Sequence, residues 1–297
     1  MRILMTGSSG FLGSALIEHL TRTGHSVVRL VRSSPRAGSD QIQWDPSSGS
    51  LPALPDNLDA AINLAGENIA ARWTPRQKSR ILNSRANGTR LLCRALADLS
   101  RPPAALVSAS AIGFYGNRGD EVLSEESAAG EGFLPRVCRE WERATEPASE
   151  KGIRVVNLRM AMVLSGTGGA LAKMLPVFRM GLGGPIGTGE QYMSWIALDD
   201  LIGVVQHCLS HADLGGPVIA AAPGPVTNRE FVKALGKVLN RPVLLRMPAW
   251  GARLAFGEMA DEVLLASQRV EPVRLKSSGY RFQFPALDSA LKHILTN

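Results

Sequence analysis

The chain has 297 residues, of which 45% are hydrophobic and 20% charged, as is ordinary for a folded globular protein. No stretch approaches the roughly 20 consecutive apolar residues of a membrane span, and the apolar start of the chain is too short for a signal peptide. We therefore expect a cytoplasmic protein that is independent of membranes. The cysteines lie far apart without metal-ligand spacing, so we expect free buried thiols and no metal (Cys93, Cys138 and Cys208).

The formal net charge of +7 is distributed unevenly along the chain. Residues 68–97 carry seven basic side chains and no acidic one. Such a cluster is typical either of an anionic partner, nucleic acid included, or of a solvated helix face. We favour the solvated face and expect no nucleic-acid partner, because neither interleaved aromatic residues nor a nucleic-acid motif accompanies the charge.

The first predicted element is a short buried strand, Ile3 to Met5, which ends in a glycine-rich turn. A helix with apolar residues at helical spacing follows, and a second apolar strand runs from Val27 to Val31. This order is typical of dinucleotide binding, because the turn lets the backbone and the helix N-terminus approach a pyrophosphate; an ordinary turn is the alternative. The residues expected at the cofactor are Gly7, Ser9, Gly10, Phe11, Leu12 and Gly13.

The spacing of these glycines, Gly-x-x-Gly-x-x-Gly, resembles the short-chain dehydrogenase/reductase superfamily, and the extended branch is the better match. In NAD-preferring proteins an acidic residue at the end of the second strand binds the ribose 2′-hydroxyl, whereas a nearby arginine accommodates the 2′-phosphate of NADP. Here Val31 holds the acidic position and Arg32 follows it. We therefore predict NADP as the cofactor, the alternative being that Arg32 is a solvated charge at a strand end.

The next buried strand begins at Asp59 and ends in a turn of small residues, Leu64, Ala65 and Gly66. We expect this turn beside the cofactor, because small residues permit close backbone approach; an ordinary strand end is the alternative. The following helix carries Arg85 on its apolar stripe. A charge that faces a sheet is costly unless it is paired, so we expect Arg85 to reach a phosphate or a carboxylate rather than extend to water.

A further strand, residues 104–108, leads into a segment that contains Ser110 and Tyr115. These hydroxyls are candidates for catalysis, because ligands bind outside the carboxyl ends of parallel strands. The segment resembles the extended-branch strand that carries the catalytic serine, whose place Ser110 takes. In that superfamily a Tyr-x-x-x-Lys pair on the next helix performs acid/base catalysis, but Leu134 and Cys138 stand at those positions here. Tyr115 is therefore the best remaining phenolic acid.

Further motifs resemble one offshoot of the superfamily: Leu-Pro-x-x-Cys-Arg-x-Trp-Glu, which ends at Glu142, the segment from Leu64 to Ile69, and the pairs Arg72-Trp73 and Ser84-Arg85. Over essentially its whole length the chain is similar to the atypical, epimerase-like short-chain dehydrogenases with a C-terminal domain of unknown function. The resemblance implies that the protein binds NADP. Members are commonly labelled nucleoside-diphosphate-sugar epimerases by analogy, so the resemblance names no substrate.

The second half of the chain opens with a strand at residues 153–159, after which Met162 should approach the nicotinamide end. Residues 166–189 are rich in glycine around an amphipathic run and suit either a substrate lid or a plain connector. Two predicted helix starts have polar caps: Thr74 with Gln77 as a capping box, and Asp199 or Asp200 as a cap rather than a catalytic acid.

These elements predict an α/β fold, a Rossmann-type doubly wound parallel sheet with a smaller C-terminal α/β lobe. We assign residues 1–165 to an NADP-binding domain, completed by about 198–222, and residues 166–197 and 223–297 to a smaller substrate lobe. The predicted function is an NADP(H)-dependent oxidoreductase or nucleotide-sugar-type epimerase, which acts on a small molecule without the usual Tyr-x-x-x-Lys pair. The alternative is a non-catalytic NADP(H)-binding sensor or regulatory protein. A homodimer is compatible with the resemblance, because extended-branch relatives often pair through helices of the nucleotide domain.

Overall fold

The computed structural model describes residues 1–35 and 40–296. The first part of the chain forms β1 (Arg2–Thr6), α1 (Phe11–Arg22), β2 (Ser26–Val31), β3 (Gln41–Gln43), β4 (Ala60–Asn63), α2 (Pro75–Ala97), β5 (Ala105–Ala111), a 3₁₀ turn (Ile112–Tyr115), β6 (Val122–Leu123), α3 (Phe133–Arg143), α4 (Glu146–Glu150) and β7 (Arg154–Met160). The remainder forms β8 (Met162–Leu164), α5 (Gly169–Arg179), β9 (Tyr192–Met193), β10 (Trp195–Ala197), α6 (Leu198–Ser210), β11 (Gly216–Ala220), β12 (Val226–Thr227), α7 (Asn228–Leu239), α8 (Ala249–Phe256), a π-helical turn (Ala260–Leu264), β13 (Arg269–Val270), α9 (Val273–Ser277) and α10 (Leu287–Thr296).

Seven strands form one parallel sheet in the order β11-β7-β5-β4-β1-β2-β3. The chain runs outward from β1 through β2 to β3, returns to β4 on the other side of β1, and continues through β5 and β7 to β11. Helices cover both faces, so the predicted doubly wound Rossmann-type sheet is confirmed. In such a sheet the carboxyl ends of β1, β4 and β5 open onto one crevice, where ligands bind.

Side-chain alternation along the strands builds a core on each face of the sheet. Ile3 and Met5 point to the layer of α1 and α6, where they pack with Leu16 of α1. Leu4 points to the opposite layer and packs with Leu92 of α2. All five side chains are at most 1% exposed, and burial of each contributes about 1.5–3 kcal/mol to folding. The short strand in front of the glycine turn is therefore anchored from both sides.

The structure confirms Thr74 as the N-cap of α2, where its side chain accepts a hydrogen bond from the Gln77 backbone N–H at 3.2 Å. The predicted capping box is wrong in its second half. The Gln77 side chain donates instead to the carbonyl oxygen of Asn68, at 3.1 Å, because the preceding loop folds back over the helix start. The helix is thereby tied to the segment that follows β4.

The C-terminal part of the chain has a core of its own. Leu175 and Phe178 of α5 pack with Trp195 and Phe231 in this second core, which fixes α5 between its glycine-rich flanks. The predicted Asp cap of α6 is wrong, because the N-cap is Ala197 and no side chain caps the helix. Asp200 is fully buried, and its carboxylate accepts the backbone N–H groups of residues 283 and 284 at 2.7 and 3.0 Å.

The predicted free buried thiols are confirmed, and burial raises the pKa of each to about 12 (Cys93, Cys138 and Cys208). Within residues 1–35 and 40–296, no helix is both long and apolar enough to cross a membrane. The same residues hold no cluster of three or more His, Cys, Asp or Glu side chains that could bind a metal ion.

Candidate functional site

The turn after β1 has a geometry that only glycine satisfies at two positions. Gly7 has a positive φ of 65°, and a Cβ atom there would lie 2.6 Å from the carbonyl carbon of Leu64. A Cβ atom on Gly13 would lie 2.2 Å from the carbonyl oxygen of Gly7. Gly10 is the N-cap of α1. No side chain caps the helix there, so the first backbone N–H groups of α1 are left for a ligand to bind. The turn presents bare backbone and the positive end of a helix dipole to the crevice.

The end of β4 is fastened to the end of β1 by the buried side chain of Thr6. Its hydroxyl donates to the Asn63 side-chain oxygen at 2.7 Å and accepts the backbone N–H groups of Leu64 and Ala65, each at 3.1 Å. Leu64 and Ala65 are half-buried and Gly66 is exposed, so the three line the rim of the crevice beside the glycine turn.

Two arginines lie near the carboxyl end of β2, the strand that pairs with β1 in front of the glycine turn. Arg32 is exposed just beyond the end of β2. Sequence reasoning missed Arg29, whose half-buried side chain reaches the turn and donates from Nε to the hydroxyl of Ser8 at 3.1 Å. Its signal was the alternation of β2, which places Arg29 on the same face as Val27, toward α1.

Phe11 packs the glycine turn against the segment that follows β8, the strand that Met162 begins. The Phe11 ring packs so closely against Gly168 that a Cβ atom there would lie 2.2 Å from the ring. Met162 begins β8, is half-buried, and pairs in parallel with Trp195 of β10. Leu12 packs on the core of α1. All three side chains are half-buried and keep some exposed surface.

Arg85 lies between the end of β4 and α3. Its Nη1 donates to the carbonyl oxygens of Glu67 and Ile81, at 2.9 and 3.3 Å. On one side the guanidinium meets Gly66, where a Cβ atom would lie 3.2 Å from Cζ; on the other side Cζ lies 4.8 Å from the centre of the Trp141 ring. Burial lowers the pKa of Arg85, as desolvation disfavours its charged form.

A buried ion pair occupies the floor of the crevice at the end of β5. Arg159 of β7 donates from Nε and Nη2 to the two carboxylate oxygens of Glu142 in α3, both at 2.8 Å. The side chains are only 5% and 13% exposed. The Ser110 hydroxyl donates to the same carboxylate at 2.7 Å, and Arg159 donates from Nη1 to the Tyr115 hydroxyl at 2.9 Å. Ser110, Glu142, Arg159 and Tyr115 thus form one network, which we call the β5 network.

The β5 network places both predicted catalytic hydroxyls beneath the crevice. Ser110 and Tyr115 each have no exposed surface, which corrects the expectation that they are presented at the open strand end. Burial is the main reason that the pKa of Tyr115 is raised to about 12, so the phenol stays protonated at neutral pH. The half-exposed side chain at the end of β5 is Ala111. Strand alternation was the available signal, because adjacent residues point to opposite faces.

The α3 positions at which the superfamily pattern has its Tyr-x-x-x-Lys pair lie next to the end of β5. Leu134 and Cys138 face the 3₁₀ turn after β5, since a Cβ atom on Gly113 would lie 3.4 Å from Leu134 Cβ and 3.9 Å from Cys138 Sγ. The Cys138 thiol is buried, and its pKa of about 12 keeps it neutral. Neither side chain can exchange a proton with a substrate near neutral pH.

The C-terminal part of the chain closes over the start of α3. The Glu262 carboxylate, from the π-helical turn, accepts the backbone N–H groups of Phe133 and Leu134 at 2.7 and 2.6 Å. These are two of the unpaired donors at a helix N-terminus, where a negative charge is favourable. Glu262 also borders a cavity of about 390 Å³ together with Lys78 and Arg136. Sequence reasoning missed this contact, because the partners are 128 or more residues apart.

Comparison with known proteins places this geometry in a family. The NAD dependent epimerase/dehydratase family model matches residues 3–221, and a domain of unknown function (DUF1731) matches residues 247–294. The chain is 44% identical to the epimerase family protein Mb2239 of Mycobacterium bovis over 296 residues, which are 99% of this chain and 97% of that protein. It is 36% identical to the human epimerase family protein SDR39U1, covering 99% of this chain and 100% of that protein.

Solved structures agree with the family models. The crystal structure of human SDR39U1 (isoform 2) with NADPH superimposes with a TM-score of 0.92 at 36% identity and covers 100% of both chains. A UDP-N-acetylglucosamine 4-epimerase from Bacillus cereus, at 17% identity, shares the fold with a TM-score of 0.77 over 99% of this chain and 98% of that one. The chain therefore belongs to the NAD-dependent epimerase/dehydratase family and carries a DUF1731 domain in its C-terminal part.

Proposed function

We propose that this protein is an NADP(H)-dependent oxidoreductase or epimerase, which transfers a hydride to or from a small molecule in the crevice between its two parts. The observation that carries the proposal is the glycine turn, in which the backbone at Gly7 and Gly13 leaves no room for a Cβ atom. Such a turn lets a dinucleotide pyrophosphate approach the backbone and the helix end. A relative of 36% identity has been crystallised with NADPH, which supports the choice of cofactor.

The residues present fit NADP(H). The uncapped amides at the start of α1 are donors for the pyrophosphate, and Leu64, Ala65 and Gly66 would line the ribose and adenine. Arg32 and Arg29 would hold the 2′-phosphate, because a guanidinium forms paired hydrogen bonds with phosphate oxygens.

When bound, NADP(H) supplies or accepts the hydride at its nicotinamide ring. Because Ser110 and Tyr115 are buried, we propose that they position the end of β5 through Glu142 and Arg159 rather than touch the substrate. Tyr115→Phe tests this assignment, since it removes one of the hydrogen-bond acceptors of Arg159 but keeps the ring. A loss of turnover with unchanged KM and unchanged stability would instead indicate that the phenol acts in the chemical step.

The first experiment titrates NADPH and NADH into the wild-type protein, Arg32→Ala and Arg29→Ala, with nicotinamide fluorescence as the readout. We expect NADPH to bind at least about tenfold more tightly than NADH, as one charge-assisted phosphate contact is worth about 1.5–3 kcal/mol. Each of these two variants should reduce the ratio of NADPH affinity to NADH affinity. The matched control is Arg22→Ala, which removes an exposed arginine at the far end of α1. Equal affinity for both nucleotides in the wild-type protein would contradict the NADP assignment.

A second candidate function is a non-catalytic NADP(H) sensor. It is favoured by two observations: Leu134 and Cys138 stand where the superfamily pattern has its acid/base pair, and Ser110 and Tyr115 have no exposed surface. Turnover decides between the candidates, with NADPH oxidation followed across a panel of carbonyl compounds and nucleotide sugars. A sensor predicts no turnover, together with NADPH-dependent protection of residues 257–265 from hydrogen exchange. An enzyme predicts turnover with at least one member of the panel.

A further inference from the structure

The C-terminal part of the chain exposes a group of large apolar side chains. Helix α8 buries only Ala252, whereas Trp250 and Leu254, four residues apart on one helix face, are 70% and 73% exposed. The segment before α8 adds Leu244, which is 84% exposed. The full group, which we call the C-terminal apolar surface, consists of Met180, Leu182, Leu244, Leu245, Met247, Trp250, Leu254 and Phe256.

These side chains come from two segments that lie side by side. The backbone N–H of Met247 donates to the carbonyl oxygen of Pro185, and the N–H of Gly187 donates to that of Met247, both at 2.9 Å. Arg241 joins the segments at their other end, since its Nε donates to the carbonyl oxygen of Arg179 at 2.8 Å. Apolar side chains that are exposed singly are ordinary, but a group of them on adjoining segments is typical of an interaction site.

The two segments that form the C-terminal apolar surface carry charge of only one sign. Residues 177–189 and 237–257 hold five basic side chains and no acidic one. Arg253 is paired with Asp261 of the π-helical turn at 2.9 Å. The other four are exposed and have no acidic partner among the residues that the structure describes: Arg179, Lys237, Arg241 and Arg246. A second copy of the chain, docked face to face, would bring these like charges together, so they favour an anionic partner over a homodimer.

We propose that the protein docks on an anionic lipid bilayer through the C-terminal apolar surface. The apolar side chains enter the boundary between head groups and acyl chains, and the four unpaired basic side chains meet the lipid phosphates. Tryptophan and leucine on one face, with arginine and lysine beside them, are the residue types that interfacial helices use. Such docking needs no spanning helix. It departs from the expectation of a protein independent of membranes, which rested on the lack of an apolar span.

The first test is flotation of the full chain, with NADPH present, on vesicles of phosphatidylcholine alone or mixed with the anionic lipid phosphatidylglycerol. We expect wild-type protein to bind the mixed vesicles at least about tenfold more tightly, because basic side chains near an anionic bilayer each add to binding. The double variant Trp250→Ser/Leu254→Ser should weaken this binding at least about tenfold, since two large apolar side chains no longer enter the bilayer. Arg179→Gln/Lys237→Gln should reduce the preference for the mixed vesicles. The matched control is Val122→Ser, which removes an exposed apolar side chain of β6 outside this surface and should change nothing.

A second measurement needs only a conservative variant. Trp250 is exposed, whereas the other four tryptophans are at most 8% exposed. These four are Trp44, Trp73, Trp141 and Trp195. Phosphatidylcholine brominated on its acyl chains, added to the mixed vesicles, should therefore quench the fluorescence of wild-type protein but not that of Trp250→Phe. Floated protein whose fluorescence is not quenched would touch the bilayer with another face, which would overturn the inference.

The remaining outcomes separate this inference from its alternatives. Wild-type protein that fails to float with the mixed vesicles would overturn it, as would flotation that Trp250→Ser/Leu254→Ser leaves unchanged. Light scattering without vesicles tests the other occupant: a wild-type dimer that this variant converts to a monomer would assign the surface to a second copy. Because the substituted side chains are exposed, NADPH affinity and the temperature of unfolding should be the same in all variants. Docking requires no cofactor, so a failure of the proposed function would leave the flotation result unchanged.

Discussion

Replacement of Glu142 by glutamine should destabilise the protein strongly. The change keeps the size of the side chain but removes the charge that Arg159 meets with two hydrogen bonds of 2.8 Å, and it disturbs the bond from Ser110. Arg159 is only 5% exposed and cannot turn to water. Removing one partner of a buried ion pair costs about 3–5 kcal/mol. We expect the lower end, about 3 kcal/mol, because the glutamine oxygen still accepts one hydrogen bond.

Urea unfolding followed by circular dichroism measures this loss. With an m-value near 3 kcal/mol/M, the midpoint should fall by about 1 M. The matched control is Glu146→Gln, whose ion pair with Arg143 is 3.8 Å long and has both side chains more than 60% exposed. That pair should contribute at most about 1 kcal/mol. A midpoint in Glu142→Gln equal to that of the control would refute the reasoning, because it would show that Arg159 is solvated after all.

Three further perturbations have defined outcomes. Gly13→Ala should destabilise the protein by about 1–3 kcal/mol and abolish NADPH binding in the fluorescence titration, because its Cβ atom would lie 2.2 Å from a carbonyl oxygen; normal binding would contradict the turn geometry. Thr227→Ala removes the capping box of α7 and should cost about 1 kcal/mol in urea unfolding, whereas no loss would mean that water replaces the cap. Burial and the neighbouring His211 lower the pKa of His207, so its contribution to stability is present above pH ~6.5 and lost as pH falls through the lowered pKa. His207→Gln should flatten that part of the pH profile of thermal unfolding, and an unchanged profile would assign the titration elsewhere.

The features that sequence reasoning predicted correctly depend on local physical constraints. The alternation of buried and half-buried residues in β2 and the apolar runs of β1 and β4 determine the sheet, since each strand must bury its apolar side chains. The glycine turn was predictable because the backbone around Gly7 and Gly13 leaves no room for the Cβ atom of any other residue. Thr74 and Pro75 mark the start of α2, because cap and first-turn preferences act within four residues.

The features that it missed depend on partners that are distant in sequence. Asp200 looks like a helix cap, but its carboxylate accepts N–H groups that come 83 and 84 residues later. Ser110 looks exposed at a strand end, but Glu142 and Arg159 pair beneath it and draw its hydroxyl into the interior. Charge, spacing and propensity do not reveal which distant group satisfies a polar side chain, since that choice is made by the packing of the whole chain.

The contact of Glu262 with the start of α3 affects how the two family models should be understood. One model ends at residue 221 and the other begins at residue 247, yet a chain shortened to the first would leave two N–H groups of α3 and the Asp200 carboxylate without their acceptor and donors. We expect that neither segment alone can be expressed as a stable fragment. A deletion in either segment should destabilise the other, because it removes hydrogen-bond partners from it. We therefore expect the chain to unfold as one cooperative unit, although two family models describe it.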